Sequence, residues 1–337
     1  MSKYLPESET LDVLVELPNC YPLKVFADGL KLSGASNIEF RFYPAGMIIY
    51  STDNIDNKYV NQMKIIQHHC IEISYKDMSK YYYFQDLKED KKQETFGKSP
   101  RQTSNGSQII KTVESISLQK ALKNLSKSDG IRIEVPKSEN SISISSNQTS
   151  KNGTTNSIKC IESYTPSDII TIEDYISSND EKFVHSLPST NFSLSFNGHS
   201  VGKNDKVEIK IYNHGKIYLG NMDNCNSVSK SCSKFEESYI NSNIMDDIKS
   251  SESNPETKPI VKYVIPRNIC KLFTKFTTMN PHGVVKIYGG VSSNGTQLPF
   301  RVINKFGSMA DYEFMLIMND EGDGDDLEDS RYTGDDD

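Results

Sequence analysis

Lysines recur at helical spacing in three separate stretches of this chain, and clustered ammonium groups at regular intervals are suited to holding phosphate. In Ser117–Ser128, Lys120, Lys123 and Lys127 share a face, while Leu118, Ala121, Leu122 and Leu125 form an apolar stripe at i, i+3, i+4 and i+7. In Pro266–Thr278, Arg267, Lys271 and Lys275 recur every four residues, away from Ile269, Leu272, Phe273 and Phe276; Pro266 suits a first turn. In Pro22–Ser33, Lys24 and Lys31 lie outside and Leu23, Phe26 and Leu30 inside. For one helix alone, a charged outer face is ordinary. Here acids are nearly absent from the outer faces, Asp28 excepted, whereas a solvated helix usually mixes signs to form i,i+4 pairs. Three such helices lining one surface would form a positive track suited to phosphates and not to base edges.

Other chemistry finds little support. There is no P-loop, GxSxG, HExxH or EF-hand pattern. His68 and His69 are adjacent on an alternating segment, so the two imidazoles face opposite ways and cannot ligate one ion together. Asp320, Asp323, Asp325 and Asp326 lack the spacing and closing Glu of a calcium loop. Six cysteines are scattered without a CxxC pair, which reads as free thiols in a reducing compartment. No cofactor and no metal are implied, and the chain reads as a non-enzyme.

The elements that would position the lysines form a repeat. Four strand pairs, Asn37–Ser51, Gly130–Ser145, Lys206–Gly220 and Gly283–Ile303, alternate around a Gly, Pro or Asn turn, as half-buried antiparallel hairpins do. A short amphipathic segment accompanies each. One helix and one hairpin cannot bury their own apolar faces, so the copies must share sheets. Two copies in each half predict an α+β protein of two similar domains, with helices on one face of antiparallel sheets.

At 337 residues the chain has room for two real cores. Apolar residues make up 36% and the mean hydropathy is −0.55, values that suit an ordered frame carrying polar insertions. No apolar run reaches the roughly 18 residues of a membrane span, and Met1–Thr10 has no signal-peptide core, so a soluble intracellular protein is expected. The net charge of −7 hides a division. Asp320–Asp337 holds ten acids against Arg331, so it carries −9 and residues 1–319 carry +2. The tail reads as disordered and solubilising. Polar insertions are expected at about 86–107 and 224–257, with a Gly/Ser/Thr/Asn loop at 147–156. Tyr164–Asp180 differs, since Ile169, Ile170, Ile172, Tyr175 and Ile176 stand among acids as in a segment that binds something.

The order of these elements resembles a PCNA-type sliding clamp, the ring-shaped processivity factor of replicative DNA polymerases. YVIPRNICKLFTKFTTMN, GVVKIYGG, QLPFRVINKFG and ADYEFMLIMND resemble the clamp's last helix, hairpin, final strand and acidic end. VESISLQKALKNLSKSDGIRIEV resembles the helix and strand closing the first domain, and LPSTNFSLSFNGHSVGKNDKVEIKIYNHGKIYLG the opening of the second. The enlarged loops and Asn/Lys/Ile-rich composition resemble a divergent lineage such as a large DNA virus. The implied layout is a DNA clamp fold with one domain over 1–163, a connector over 164–181, a second domain over 182–320 and an acidic tail over 321–337.

The resemblance implies that Lys24, Lys120, Lys123, Arg267 and Lys275 face the DNA backbone, with Lys31, Lys127 and Lys271 beside them. It implies a client-peptide pocket beneath the connector, formed by Tyr59, Val60, Ile169, Ile170, Ile172, Pro299, Phe314 and Leu316. Subunit contacts would pair edge strands near Ser157–Ser163 and Lys234–Tyr239. The implied partners are duplex DNA, a DNA polymerase and other replication and repair clients with short clamp-binding peptides, a clamp loader, and two further copies in a homotrimer, at a nuclear or viral replication site. One departure stands out. The third helix should start near Pro188, yet Asn191–Phe196 alternates like a strand, and the basic positions of the family fall on Leu194 and Asn197, leaving only His199 and Lys203. The alternatives are a checkpoint-type subunit of a hetero-ring, and a monomeric accessory protein that binds DNA by charge without encircling it.

Overall fold

Each half of the chain runs strand, helix, hairpin, strands, helix, hairpin in the computed structural model. It describes residues 9–55, 63–84, 108–126, 128–146, 155–162, 165–166, 169, 183–200, 206–211, 217–221, 233–234 and 259–320. The expected insertions over 86–107 and 224–257 lie outside them apart from Ser233 and Lys234, as does the tail beyond Asp320.

β1 (Leu11–Leu17) buries Val13, Val15 and Leu17. α1 (Tyr21–Ser33) carries Pro22 in its first turn, where a missing N–H costs nothing, and ends at Gly34, whose φ of 84° is the left-handed cap that glycine tolerates. β2 (Asn37–Tyr43) and β3 (Gly46–Ile55) form the first hairpin, and β4 (Met63–Ser74) pairs with β3. β5 (Lys80–Tyr83) returns to β1. β6 (Ile109–Glu114) leads into α2 (Ser115–Lys123), the hairpin β7 (Ile131–Pro136) and β8 (Ser141–Ser146), and β9 (Asn156–Lys159). The second half repeats this with β10 (Phe183–Pro188), α3 (Ser189–Ser200), β11 (Lys206–Ile211), β12 (Ile217–Asn221), β13 (Ser233–Lys234) and β14 (Val261–Pro266). α4 (Arg267–Phe273), α5 (Phe276–Met279), β15 (Val284–Tyr288), β16 (Phe300–Phe306) and β17 (Ala310–Asp320) complete it. All four expected hairpins are present.

The copies do share sheets. A central sheet has the order β10-β15-β16-β17-β4-β3-β2-β6, half of its strands from each end of the chain. Its seam is the antiparallel pairing of β17 with β4, from Asp311 opposite Glu72 to Asp320 opposite Met63. Flanking sheets are β5-β1-β7-β8-β9 and β13-β12-β11-β14. The helices pack side by side in the order α2, α1, α4, α3, with α5 against α1 and α3. Gly29 sets the approach of α1 to α4, because a Cβ there would come within 2.5 Å of the Leu272 Cδ1 atom.

Three helix boundaries differ from expectation. Residues 189–200 form a helix, not a strand. Phe192 and Phe196 suit both periods, but as i and i+4 neighbours their rings meet at 5.0 Å, tilted, on the core side, and burial of two rings decides the conformation. The Pro266–Thr278 helix is two pieces with Pro266 as N-cap, because the Thr274 hydroxyl donates back to the Lys271 carbonyl at 2.7 Å and tightens the turn before α5. α2 stops at Lys123, although Leu125 just beyond it stays buried.

His68 and His69 face opposite sides of β4, as alternation requires. His69 points to the helices, its Nδ1 2.7 Å from the Tyr312 hydroxyl and its Nε2 3.5 Å from the Ser33 hydroxyl. His68 lies edge-on to Tyr50 across the sheet. Burial, and secondarily His68, lowers the His69 pKa from 6.5 to about 3. The unfolded chain therefore takes this proton near pH 6.5 and the folded chain only near pH 3. Stability is full above the upper value and falls as pH drops between them, by at most about 1.4 kcal/mol per pH unit. Urea midpoints are expected to fall from pH 7 to pH 4.5, and His69→Gln to flatten that slope; parallel slopes would show that His69 does not govern it.

Candidate nucleic-acid interface

The row of helices forms one surface, and most of the expected cations stand on it. Lys31, Lys120 and Lys123 are exposed, while Arg267, Lys271 and Lys275 are half-buried. Lys127 lies outside the described residues. Between α1, α2 and the α4–α5 turn runs a groove of about 390 Å³, walled by Lys24, Lys31 and Lys275 with Tyr21, Gln119 and Thr278. Asp28, the lone acid noted on these outer faces, accepts a 2.6 Å hydrogen bond from the Gln119 amide in the same groove, so its carboxylate is held by a neutral donor beside three lysines. Such a surface attracts polyanions without reading bases.

Lys24 departs from expectation. Its Nζ donates to the carbonyls of Lys123 at 2.9 Å and Leu125 at 3.0 Å, at the C-terminal end of α2. This side chain closes a helix end, where unpaired carbonyls and the helix dipole favour a cation. Cys20 joins the same junction, its thiol donating to the Ser126 carbonyl at 2.8 Å. Burial raises the Cys20 pKa, opposed by Lys24, so it stays a thiol. Burial likewise pushes Cys270 up to about 12.

α3 contributes no cation among the described side chains. Its outward positions are Asn191, Leu194 and Asn197, and Leu194 is 65% exposed. The side chain of His199, and Lys203 altogether, lie outside the described residues. Among the described side chains of the row, positive charge is concentrated on α2, α1 and α4.

The opposite face of the central sheet corrects the expected pocket. Ile169 packs on Tyr43, Ile48, Tyr50 and Cys70. Phe314 and Leu316 do not face it. The Phe314 ring lies 5.1 Å from Phe273 of α4, and both residues belong to the core beneath the helices. Alternation places Met315 and Ile317 on the Ile169 side, where Met315 pairs with His68. The error is one of parity: a strand's two faces differ by one residue, and only the pairing register says which set looks outward. Buried Pro299 precedes Phe300, which points into the core; Tyr59, Val60, Ile170 and Ile172 lie outside the described residues. The same face carries matching ion pairs in the two halves. Glu39 bonds Arg41, which lies over Tyr50 at 5.0 Å. Glu313 bonds Arg301 at 2.6 Å, and Arg301 lies over Tyr288 at 5.1 Å.

Two short strands end their sheets. β9 covers Asn156–Lys159, the start of the expected contact segment, and β13 covers Ser233–Lys234, with the residues after it outside the described set. Among the described residues no cluster of His, Cys, Asp and Glu could hold a metal, and no helix is long and apolar enough to cross a membrane.

No protein-family model matches the chain, and no curated protein matches it in sequence. Solved structures do match. The PCNA2–PCNA3 complex from Sulfolobus tokodaii superposes with a TM-score of 0.56 at 14% identity, over 91% of this chain and 100% of that one. The chain therefore has the PCNA-type clamp fold.

Proposed function

We propose that this chain is a non-enzymatic sliding-clamp subunit that encircles duplex DNA and tethers a DNA polymerase and other replication and repair proteins. The observation that carries the reading is the row of helices presenting Lys31, Lys120, Lys123 and Lys275 on one surface of a PCNA-type fold. The mechanism is topological. A closed ring cannot leave DNA sideways, while weak ammonium–phosphate contacts without base readout let it slide. Two domains of one plan, over 1–163 and 182–320, would join head to tail through β9 and β13, the outermost strands of their sheets among the described residues, three copies closing the ring. A clamp loader would place it wherever DNA is replicated, in a nucleus or a viral replication site.

Client peptides would dock on the far face, near Ile169 and its neighbours Tyr43, Ile48 and Tyr50, away from both the DNA and the ring edges. The acidic tail beyond Asp320 would keep DNA from that face.

The solved complex with the same fold joins two different chains, PCNA2 and PCNA3, and this favours a hetero-ring as the second reading. Size-exclusion chromatography with light scattering separates the readings. A homotrimer should show three times the 38.0 kDa of one chain and be retained on circular but not linear duplex. A chain that assembles only with a second protein supports the hetero-ring. A monomer at every concentration, alone and with candidate partners, rules out a ring.

A further inference from the structure

The carbonyls at three helix ends in the row are each taken by a side chain of the adjoining helix. At the end of α2, Lys24 of α1 holds the carbonyls of Lys123 and Leu125 at 2.9 and 3.0 Å. Cys20, just before α1, adds its thiol to Ser126 and its N–H to Asp129, both at 2.8 Å. At the end of α1, the Ser33 carbonyl accepts from the Asn268 amide of α4, and from Gln67 of β4 at 3.3 Å. At the end of α4, the Phe273 carbonyl accepts from the Ser193 hydroxyl of α3 at 3.1 Å. That hydroxyl also accepts the Thr277 N–H of α5 at 3.0 Å, bridging the break between α4 and α5.

A helix leaves its last carbonyls unpaired, and solvent or a local turn usually satisfies them. Here the neighbouring helix does so three times, along the order α2, α1, α4, α3. The acceptors are backbone atoms, so each bond fixes the position of a helix end and with it the side chains of the last turn. Lys123 shows this directly: its carbonyl is the atom Lys24 grips, and its own side chain is exposed on the surface.

We propose that Lys24, Asn268 and Ser193 are positioning residues that tie the four helices into one plate, and that Lys24 holds Lys120 and Lys123 in place without itself contacting DNA phosphate. Two of the three N–H donors of its ammonium are already committed within the chain. Only the last part of this assignment rests on the DNA-binding reading.

Limited acetylation followed by mass spectrometry tests it on the full chain. Without DNA, Lys24 should react about tenfold more slowly than Lys120, because its nitrogen must first let go of two carbonyls before a reagent can reach it. Adding duplex DNA should protect Lys120 and Lys123 and leave Lys24 unchanged. Lys24→Met should speed hydrogen exchange in the segment after α2 by about tenfold, and Lys24→Arg should restore much of the protection. Ser193→Ala should loosen the α4–α5 turn in the same way. In DNA binding, Lys24→Met should leave the slope of log K against log salt unchanged, while Lys120→Met lowers it by about 0.9. Lys24 acetylated as fast as Lys120, or unchanged exchange in Lys24→Met, would overturn the cap. A lowered salt slope in Lys24→Met would overturn its separation from the phosphate contacts. If the parent protein binds no duplex, the functional reading fails, while acetylation without DNA and hydrogen exchange still decide the cap.

Discussion

Phe273→Ala is expected to destabilise the protein by about 3–5 kcal/mol, a large share of the roughly 5–15 kcal/mol typical of a folded domain. Phe273 is fully buried, and four rings lie within 5.4 Å of it, Phe192 at 5.2 Å, Phe196 at 4.9 Å, Phe276 at 5.4 Å and Phe314 at 5.1 Å, with Phe300 beyond them at 6.4 Å. These rings belong to α3, α5 and β17, so truncation opens a cavity where the second-half helices meet the central sheet. Neighbours held by backbone hydrogen bonds cannot collapse into such a space, and the cost rises with the volume left empty. Phe314→Ser should be comparably damaging, which separates a core residue from a pocket residue: the pocket assignment implied selective loss of client binding in a stable protein. Urea unfolding followed by far-ultraviolet circular dichroism measures both. A loss below about 1 kcal/mol for Phe273→Ala would mean that this cluster does not hold the helices to the sheet.

Replacing Lys31, Lys120 and Lys123 together by Met should weaken duplex binding by roughly tenfold or more at moderate salt, with the loss shrinking as salt rises. All three are exposed, and none caps a helix end. Their removal should therefore leave stability within about 0.5 kcal/mol of the parent, in contrast to Lys24→Met. The salt slope should fall by about 0.9 for each phosphate that is no longer neutralised. Binding should weaken equally on unrelated sequences, because nothing in the row of helices is built to read bases. Filter binding across a salt series, with melting curves as the folding control, gives both numbers. Parent-like binding in a folded triple variant would place the DNA elsewhere on the molecule.

Local pattern sufficed for much of this protein. Alternation around turn residues located all four hairpins, because a half-buried strand leaves a period of two wherever it sits. The apolar stripes of α1, α2 and α4 and the lysines beside them were legible for the same reason, since a helix writes its inner and outer faces into residue spacing. The adjacent histidines were placed on opposite faces by the same rule. Where two periods fitted one segment, pattern could not choose. Phe192 and Phe196 satisfy both, and the ring packing against Phe273 and Phe276 selected the helix.

What tertiary structure alone decided concerns partners distant in the chain. Which face of β17 looks outward depends on its pairing with β4, some 240 residues away, and a one-residue choice moved Phe314 from an expected pocket into the core. The role of Lys24 depends on carbonyls 99 and 101 residues further on, and a spacing rule that sees only its own helix reports a free outer cation. Residue spacing records the periodicity of an element, since that is set by its own backbone. The direction in which a side chain finds its partner is set by how elements from both ends of the chain are brought together.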